Sequence, residues 1–285
     1  MSQRVTIHIT SKDRSSEIAL VLHSLLHQTY KAFDIIILDN MYGTPIAGNF
    51  KFIHDVIGRL KIRGHGVGLL RDNVSYGVCK ARQRLIDEDM FSDNPFILRC
   101  DDDQILDPSY IERLMKVMND HPDAGLVSGV TPNLSGPDFV KKAEFENNII
   151  NEVRLDAEGN IVHYADDCGI LYDKSVVLRA HNFRSSALMK REMFDKGLEY
   201  PRGKSLSGFR EEAHLSFDAI LMGYSIWIDT GAIAYHAHAL SGGCRAPDYI
   251  QRVQMDERSW QEYVKTKFKK HGDFLKIYNE KVFKL

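Results

Sequence analysis

A short apolar stretch that ends on three consecutive aspartates constrains this chain more than any other feature. Residues 96–100 read Phe-Ile-Leu-Arg-Cys, and Asp101, Asp102 and Asp103 follow directly. An apolar run bounded by turn residues is typical of a buried strand, so the carboxylates lie where that strand leaves the core. Because side chains alternate along an extended chain, we expect Asp101 and Asp103 to share one side and Asp102 to point to the other.

The acidic cluster is a candidate metal site. Two carboxylates that point into one space repel each other unless a cation lies between them, and oxygen ligands suit a hard divalent ion such as Mg²⁺ or Mn²⁺. A second interpretation stays open. Acidic residues after a strand can form a solvated turn, or cap a helix that begins near Asp107-Pro108.

The composition is that of a soluble globular protein. The chain has 285 residues, 44% of them apolar and 27% charged, which allows one large domain or two closely joined ones. A net charge of −2 does not indicate a nucleic-acid partner. The four cysteines contain no CxxC pair, so we expect reduced thiols and a cytoplasmic location. A secretory signal or a membrane-spanning helix is not expected.

The first seventy residues alternate strand and helix. Residues 5–9 and 33–38 are predicted strands, with a helix over 17–28 between them. This order favours a parallel sheet, whose ligands bind beyond the carboxyl ends of the strands. There Asp39 can accept hydrogen bonds from a base or ribose, and Arg14 can contact phosphate. Both residues are equally compatible with a cap or a surface ion pair.

Basic residues open a later helix. The helix predicted from residue 76 carries Lys80 and Arg82 near its start, where cations oppose the helix dipole. A bound diphosphate would offset that charge, although exposed basic side chains in water are the alternative. The glycine cluster at residues 63–68 lacks GxGxxG spacing, so we interpret it as a turn.

The middle of the chain has weak periodicity. Residues 131–180 are interpreted as a substrate-facing insertion, with a hairpin turn at 157–160. Downstream, the acidic pair Glu211-Glu212 opens a helix. Acidic residues are favoured by the dipole at a helix N-terminus, but a carboxylate that faces the cleft could instead be a general base.

Two histidines follow the last predicted strands. Residues 225–229 and 232–235 are interpreted as a strand pair that ends at His236 and His238. Alternation places both imidazoles on one face. Either could add a third metal ligand and favour Mn²⁺ or a similar ion, or be structural.

In order and spacing, these features resemble glycosyltransferase family 2, which has the GT-A fold. The resemblance covers roughly residues 4–240. The features that carry it are Thr10 and Arg14 after the first strand, Asp39 after the second, Asn73, Gly77 and Ala81-Arg82, the Asp101-Asp102-Asp103 cluster, the Glu211-Glu212, Leu215 and Gly223-Tyr224 block, and His236.

The resemblance implies an α/β, Rossmann-like fold. A mostly parallel central sheet would be flanked by helices, with an acceptor-side insertion and a C-terminal helical tail. Residues 1–130 would form the nucleotide-sugar-binding half and 131–245 the acceptor-binding and catalytic half. Residues 246–285 would form the tail.

The resemblance also implies roles for individual residues. Thr10, Arg14 and Asp39 would hold the nucleotide, and Arg82, Asp101 and Asp102 would contact the donor. The metal, Mn²⁺ or Mg²⁺, would be held by Asp101, Asp103 and His236, with His238 as the alternate ligand. Glu212 would be the catalytic base, at a position where the family usually has aspartate.

The implied activity is metal-dependent sugar transfer of the hexosyltransferase type. A nucleoside-diphosphate sugar, foremost a UDP-sugar, would donate to a saccharide, lipid-linked or other hydroxyl acceptor, with inversion; retention stays open. The alternatives are a non-catalytic nucleotide-sugar-binding protein and a nucleotidyltransferase of similar architecture. A nucleoside triphosphatase is disfavoured because the sequence has no GxxxxGK[ST] loop.

The tail from Tyr249 onward is predicted to be helical, basic and amphipathic. Such a segment can lie on an anionic membrane, here the inner surface, as a peripheral contact. Alternatively, it packs its apolar side on the domain and leaves its lysines in water.

Overall fold

A computed structural model describes most of the chain. The described residues are 3–40, 51–71, 77–135, 140–145, 148–201, 207–239, 242–245 and 247–282. Asn73, one of the residues that carry the family resemblance, lies outside them.

Strands and helices alternate through the first half of the chain, and short strands fill the middle. The strands are β1 (Val5–Ser11), β2 (Phe33–Asp39), β3 (Val67–Arg71), β4 (Phe96–Asp101), β5 (Gln104–Leu106), β6 (Ala124–Val130), β7 (Val140–Lys141), β8 (Ile149–Ile150), β9 (Val153–Leu155), β10 (Ile161–Tyr164), β11 (Leu171–Tyr172), β12 (Val177–Ala180), β13 (Ala187–Lys190) and β14 (Ser225–His236). The helices are α1 (Ser15–Leu26), α2 (Lys51–Ile62), α3 (Val78–Asp87), α4 (Tyr110–Asp120), α5 (Arg191–Asp195), α6 (Glu211–Leu221), α7 (Tyr249–His271) and α8 (Phe274–Val282).

In the described part of the chain, the central sheet has ten strands in the order β3-β2-β1-β4-β13-β6-β14-β12-β8, with β5 paired to β14. Neighbours β3, β2, β1 and β4 are all parallel, as are β6 and β14. Strand β13 runs antiparallel between β4 and β6. The predicted α/β fold with a mostly parallel central sheet is therefore confirmed.

Helices cover both faces of the sheet. The side chains of β4 alternate between these two faces. Phe96, Leu98 and Cys100 belong to the core that also contains residues of α1, α2 and α4. Ile97 points to the opposite core, which includes residues of α6, α7 and α8. Odd-numbered residues of β4 therefore face α6, which fixes the side of the sheet on which Arg99 and Asp101 lie.

The prediction of two separate strands at 225–229 and 232–235 is wrong. Residues 225–236 form one strand of 12 residues, β14, rather than two. Its pairing with β6 shifts register between Ile228 and Ile233. The irregularity bends the strand without ending it, and the glycine between the two apolar runs marks that irregularity rather than a turn. The hairpin predicted at 157–160 is confirmed, since it joins the antiparallel strands β9 and β10.

The C-terminal helices α7 and α8 pack against the domain. Trp260, Tyr263, Phe274 and Tyr278 are buried in the same core as residues of α6. Of the two interpretations of the tail, contact with a membrane or packing on the domain, this arrangement is the second. Within the described ranges, no helix is long and apolar enough to cross a membrane.

Candidate active site

A cavity of about 370 Å³ opens at the carboxyl ends of the central strands. The strand register explains why the predicted residues meet there, since Thr10 pairs with Asp101 and Ser11 with Asp39 in neighbouring parallel strands. Most of the side chains singled out in the sequence line this cavity. They are Thr10, Arg14, Arg82, Asp101, Asp102, Asp103, Glu212 and His236.

Three other candidates lie outside the lining of this cavity. Asp39 is buried, with an oxygen 3.9 Å from Nε of Arg71, and its neighbour Asn40 is the residue that lines the cavity. Lys80 is exposed at the surface of α3. His238 packs its ring against that of His236, with 4.0 Å between the ring centroids.

The three aspartates are not arranged as strand alternation predicts. Arg14 Nη1 donates to Asp102 Oδ1 at 2.8 Å and to Asp103 Oδ2 at 3.1 Å, so these two carboxylates share one cation. Asp101 instead accepts a hydrogen bond from Arg82 Nη2 at 2.6 Å. The prediction that Asp102 points away from Asp103 is wrong, because β4 ends at Asp101 and the chain turns immediately after it. All three aspartates line the same cavity.

The two carboxylates that share Arg14 differ in their electrostatics. Burial raises the pKa of Asp102 to about 6, although the Arg14 charge and a hydrogen bond from Ser11 Oγ oppose the rise. Burial also acts to raise the pKa of Asp103. There the hydrogen bond and charge of His236, together with Arg14, outweigh burial and hold this pKa below its usual value. Asp103 is therefore the more strongly favoured anion of the pair.

Asp103 and His236 are the side chains that best fit a divalent metal. Asp103 Oδ1 lies 3.3 Å from His236 Nε2. Adjacent ligands of an octahedral ion are roughly 3 Å apart, so both atoms can bind one ion. Asp101 is engaged by Arg82. Across the described residues, no group of three or more His, Cys, Asp or Glu side chains is placed to hold a metal.

The acidic pair at the start of α6 divides into a buried and an accessible carboxylate. Glu211 is buried and contacts both Arg82 and Arg99, whose Nη2 lies 3.2 Å from Glu211 Oε1. Glu212 has a side chain that is 22% exposed, and its Oε1 accepts a hydrogen bond from Arg99 Nη2 at 2.6 Å. Arg210, which precedes the pair, has a left-handed backbone with φ of 65°. Glu212 is the member of the pair that a substrate can reach.

Some charged residues at the site were missed in the sequence. Arg99 interrupts an apolar strand, and a lone cation in a buried run was the signal that could have found it. Arg210 stacks on the Tyr164 ring, 3.9 Å from its centroid, and pairs with Glu257 of α7. That contact joins segments that are far apart in sequence, so no local sequence pattern could have predicted it.

Solved structures share this architecture at low sequence identity. S. aureus TarS 1–349 in complex with UDP matches with a TM-score of 0.57 and 10% identity over 90% of this chain. Mannosyltransferase PcManGT from Pyrobaculum calidifontis, in complex with GDP-Man and Mn²⁺, matches with a TM-score of 0.57 and 13% identity over 94% of this chain. GalNAc-T7 with UDP, GalNAc and Mn²⁺ has a TM-score of 0.61 and 12% identity over 97% of this chain.

The present chain is shorter than these proteins, spanning 65% of the TarS fragment, 70% of PcManGT and 55% of GalNAc-T7. No curated protein sequence matches it. The sheet order and these likenesses define the GT-A fold. The chain belongs to glycosyl transferase family 2, whose family model matches residues 6–179. The family and fold expected from the sequence are confirmed.

Proposed function

We propose that this glycosyltransferase moves a sugar from a nucleoside-diphosphate donor to an acceptor hydroxyl, with a divalent metal and with inversion. The observation that carries the proposal is the convergence of two groups on one cavity. One is the Asp103 and His236 pair beside Arg14 and Arg82, and the other is the accessible carboxylate of Glu212. The first group suits a diphosphate with its metal, and the second suits a proton acceptor.

The donor would bind where the cations line the cavity. Arg14 and Arg82 present guanidinium groups that are pre-formed for phosphate oxygens, and both are held in place by aspartates. Thr10 and Asn40 line the same cavity. Asp103 and His236 would hold Mn²⁺ or Mg²⁺, which when bound neutralises the charge that develops on the departing diphosphate.

Glu212 would act on the acceptor. Its carboxylate takes the proton of the acceptor hydroxyl while that oxygen forms a bond to the anomeric carbon. The bond from that carbon to the diphosphate oxygen breaks, and its electron pair leaves with the nucleoside diphosphate. Attack from the side opposite the leaving group inverts the anomeric centre.

We propose a UDP-sugar as the donor. TarS and GalNAc-T7 were solved with UDP, whereas PcManGT was solved with GDP-Man, so guanosine donors belong in any test. The acceptor is a hydroxyl of a saccharide, a lipid-linked carrier or another alcohol, and water can replace it in a basal assay.

The test of the base is the Glu212→Gln variant. We expect nucleotide release from UDP-glucose, UDP-N-acetylglucosamine or GDP-mannose, with water as acceptor, to fall by roughly 10²–10⁴-fold while donor binding stays. Glutamine keeps the size of the side chain and removes its basicity. The matched control is Glu262→Gln, an exposed glutamate of α7 that should keep full turnover. A Glu212→Gln protein as active as this control would remove Glu212 from the base role.

A further inference from the structure

Arg99 is a charged side chain in the middle of the central sheet. Its strand β4 lies between β1 and β13, where Arg99 pairs with His8 on one side and Ala187 on the other. The residue is only 2% exposed. Like Ile97, it points to the face of the sheet that α6 covers.

One nitrogen of Arg99 makes its polar contacts. Nη2 donates to Glu212 Oε1 at 2.6 Å and lies 3.2 Å from Glu211 Oε1 and 3.7 Å from Asp101 Oδ1. Nε and Nη1 are buried and have no hydrogen-bond partner among the described residues. The guanidinium also lies 5.4 Å from the centroid of the Phe183 ring.

This arrangement is a poor one for stability alone. A buried guanidinium that leaves two nitrogens without acceptors keeps much of its desolvation cost, and apolar residues of similar volume often replace buried ion pairs without loss. Every carboxylate near Arg99 belongs to the cavity. Its shortest contact is with Glu212, the carboxylate proposed to touch the acceptor.

Because Arg82 also pairs with Glu211, Arg99 can pair with Glu212 as well. Arg82 contacts both Asp101 and Glu211, so Glu211 is shared between two guanidiniums. Glu212 forms its short ion pair with Arg99. The partly exposed Glu212 would otherwise sample several rotamers, and one short charge-assisted hydrogen bond restricts them.

We propose that Arg99 is a positioning residue that holds the Glu212 carboxylate in the orientation needed to accept the acceptor proton. The proposal rests on the proposed function of Glu212 as base. Arg99 itself touches neither donor nor acceptor. It acts on the rate of transfer through Glu212.

The test compares variants of Arg99 in the full chain, with nucleotide release from UDP-glucose, UDP-N-acetylglucosamine or GDP-mannose as the readout. Arg99→Met should lower kcat by roughly 10–100-fold, because a misplaced catalytic group costs about that much, and should leave the donor KM nearly unchanged. Arg99→Lys should recover most of the lost kcat, since a single donor nitrogen makes the contact with Glu212. Arg99→Gln replaces the methionine variant if the latter does not fold.

A matched control separates this role from simple loss of a buried charge. Arg179 is also buried and paired, with Asp123, but it lies away from this cavity. Arg179→Met should lose stability and keep kcat. In a Glu212→Gln background, Arg99→Met should bring no further loss of kcat, because both changes remove the same function.

Any one of three results would overturn the proposal. The first is that Arg99→Met lowers kcat in the Glu212→Gln background as much as it does in the wild type. The others are that Arg99→Lys is as slow as Arg99→Met, or that Arg179→Met lowers kcat as much as Arg99→Met does. The base assignment is judged separately. If Glu212→Gln keeps full turnover, the proposed function fails and the role of Arg99 fails with it. If Glu212→Gln is inactive and Arg99→Met is fully active, only the role of Arg99 is rejected.

Discussion

His181, just after β12, is a fully buried histidine that links three parts of the fold. The Val153 amide donates to its Nδ1 at 2.9 Å, and its Nε2 lies 2.7 Å from Asn279 Oδ1 of α8. Burial lowers the pKa of His181 below its ordinary value, against the raising effect of the Asn279 side-chain oxygen and the Glu152 charge. The folded protein therefore holds the ring neutral, while the unfolded chain protonates it below about pH 6.5.

Acidification should destabilise the protein through His181. A folded pKa below the unfolded one means that the unfolded state binds more protons as pH falls, so stability is lost below about pH 6.5. The loss from this group reaches at most about 1.4 kcal/mol per pH unit. Urea unfolding between about pH 7.5 and pH 5.5 should show a smaller decline for His181→Gln than for the wild type. Equal declines would contradict this account.

Helix α7 is attached to the domain through Trp260. The indole is fully buried, and its ring centroid lies 4.7 Å from that of Phe217 in α6 and 4.9 Å from that of His214. The helix also brings Glu257 to Arg210 at the edge of the cavity, with Arg210 Nε 2.8 Å from Glu257 Oε2. Tail packing and cavity geometry therefore depend on the same helix.

The Trp260→Ala variant should be destabilised by about 3–5 kcal/mol, because the change removes a large buried ring and leaves a cavity. The measurement is the free energy of urea unfolding. The matched control is Ile250→Ala in the first turn of α7, where the side chain is 73% exposed and the change should stay within about 0.5 kcal/mol. Similar small losses in both variants would show that the helix does not depend on Trp260.

Elements were predictable where the local pattern is sufficient. The apolar runs of β1, β2 and β4 with their polar ends predicted the parallel sheet, and the helical spacing predicted α1. Strand β14 was divided because its central irregularity resembles a turn in sequence, whereas pairing with β6, β12 and β5 keeps it continuous. Local patterns carry no information about such partners.

The site was predictable as a set of residues but not as a set of contacts. Strand ends that converge in a parallel sheet brought Thr10 and Asp101 together as expected. Which carboxylate pairs with which arginine depends on the turn after β4 and on two helices distant in sequence. Arg99 was missed for this reason, since its partners are more than 100 residues away in α6.

At the scale of the whole molecule, the described part of the tail exposes several lysines together with the apolar side chains of Ile250, Met255 and Ile277. Its exposed lysines among the described residues are Lys265, Lys269, Lys270 and Lys276. Trp260, Tyr263, Phe274 and Tyr278 are buried, so membrane insertion of these side chains would require them to leave the core. Peripheral contact with a membrane stays a prediction that rests on charge alone.

Vesicle sedimentation separates these two modes. We expect the full chain not to sediment with uncharged phosphatidylcholine vesicles, because Trp260, Tyr263, Phe274 and Tyr278 of the tail are buried. Any sedimentation with phosphatidylserine vesicles should disappear at high salt and in a variant with Lys265, Lys269 and Lys270 changed to glutamine. Salt-resistant binding to uncharged vesicles would mean that the tail leaves the domain.

The central claim is that the cavity binds a nucleoside diphosphate with a metal held by Asp103. The most direct measurement is calorimetric titration of UDP, GDP, CDP and dTDP with and without Mn²⁺, on the wild type and on Asp103→Asn. Asp102→Asn is the matched comparison, since it shares Arg14 but lacks the contact with His236. We predict binding of one nucleotide, foremost UDP, that requires Mn²⁺, is lost in Asp103→Asn and survives in Asp102→Asn. Metal-independent binding that Asp103→Asn leaves unchanged, or no binding of any nucleotide by the folded protein, would contradict the account.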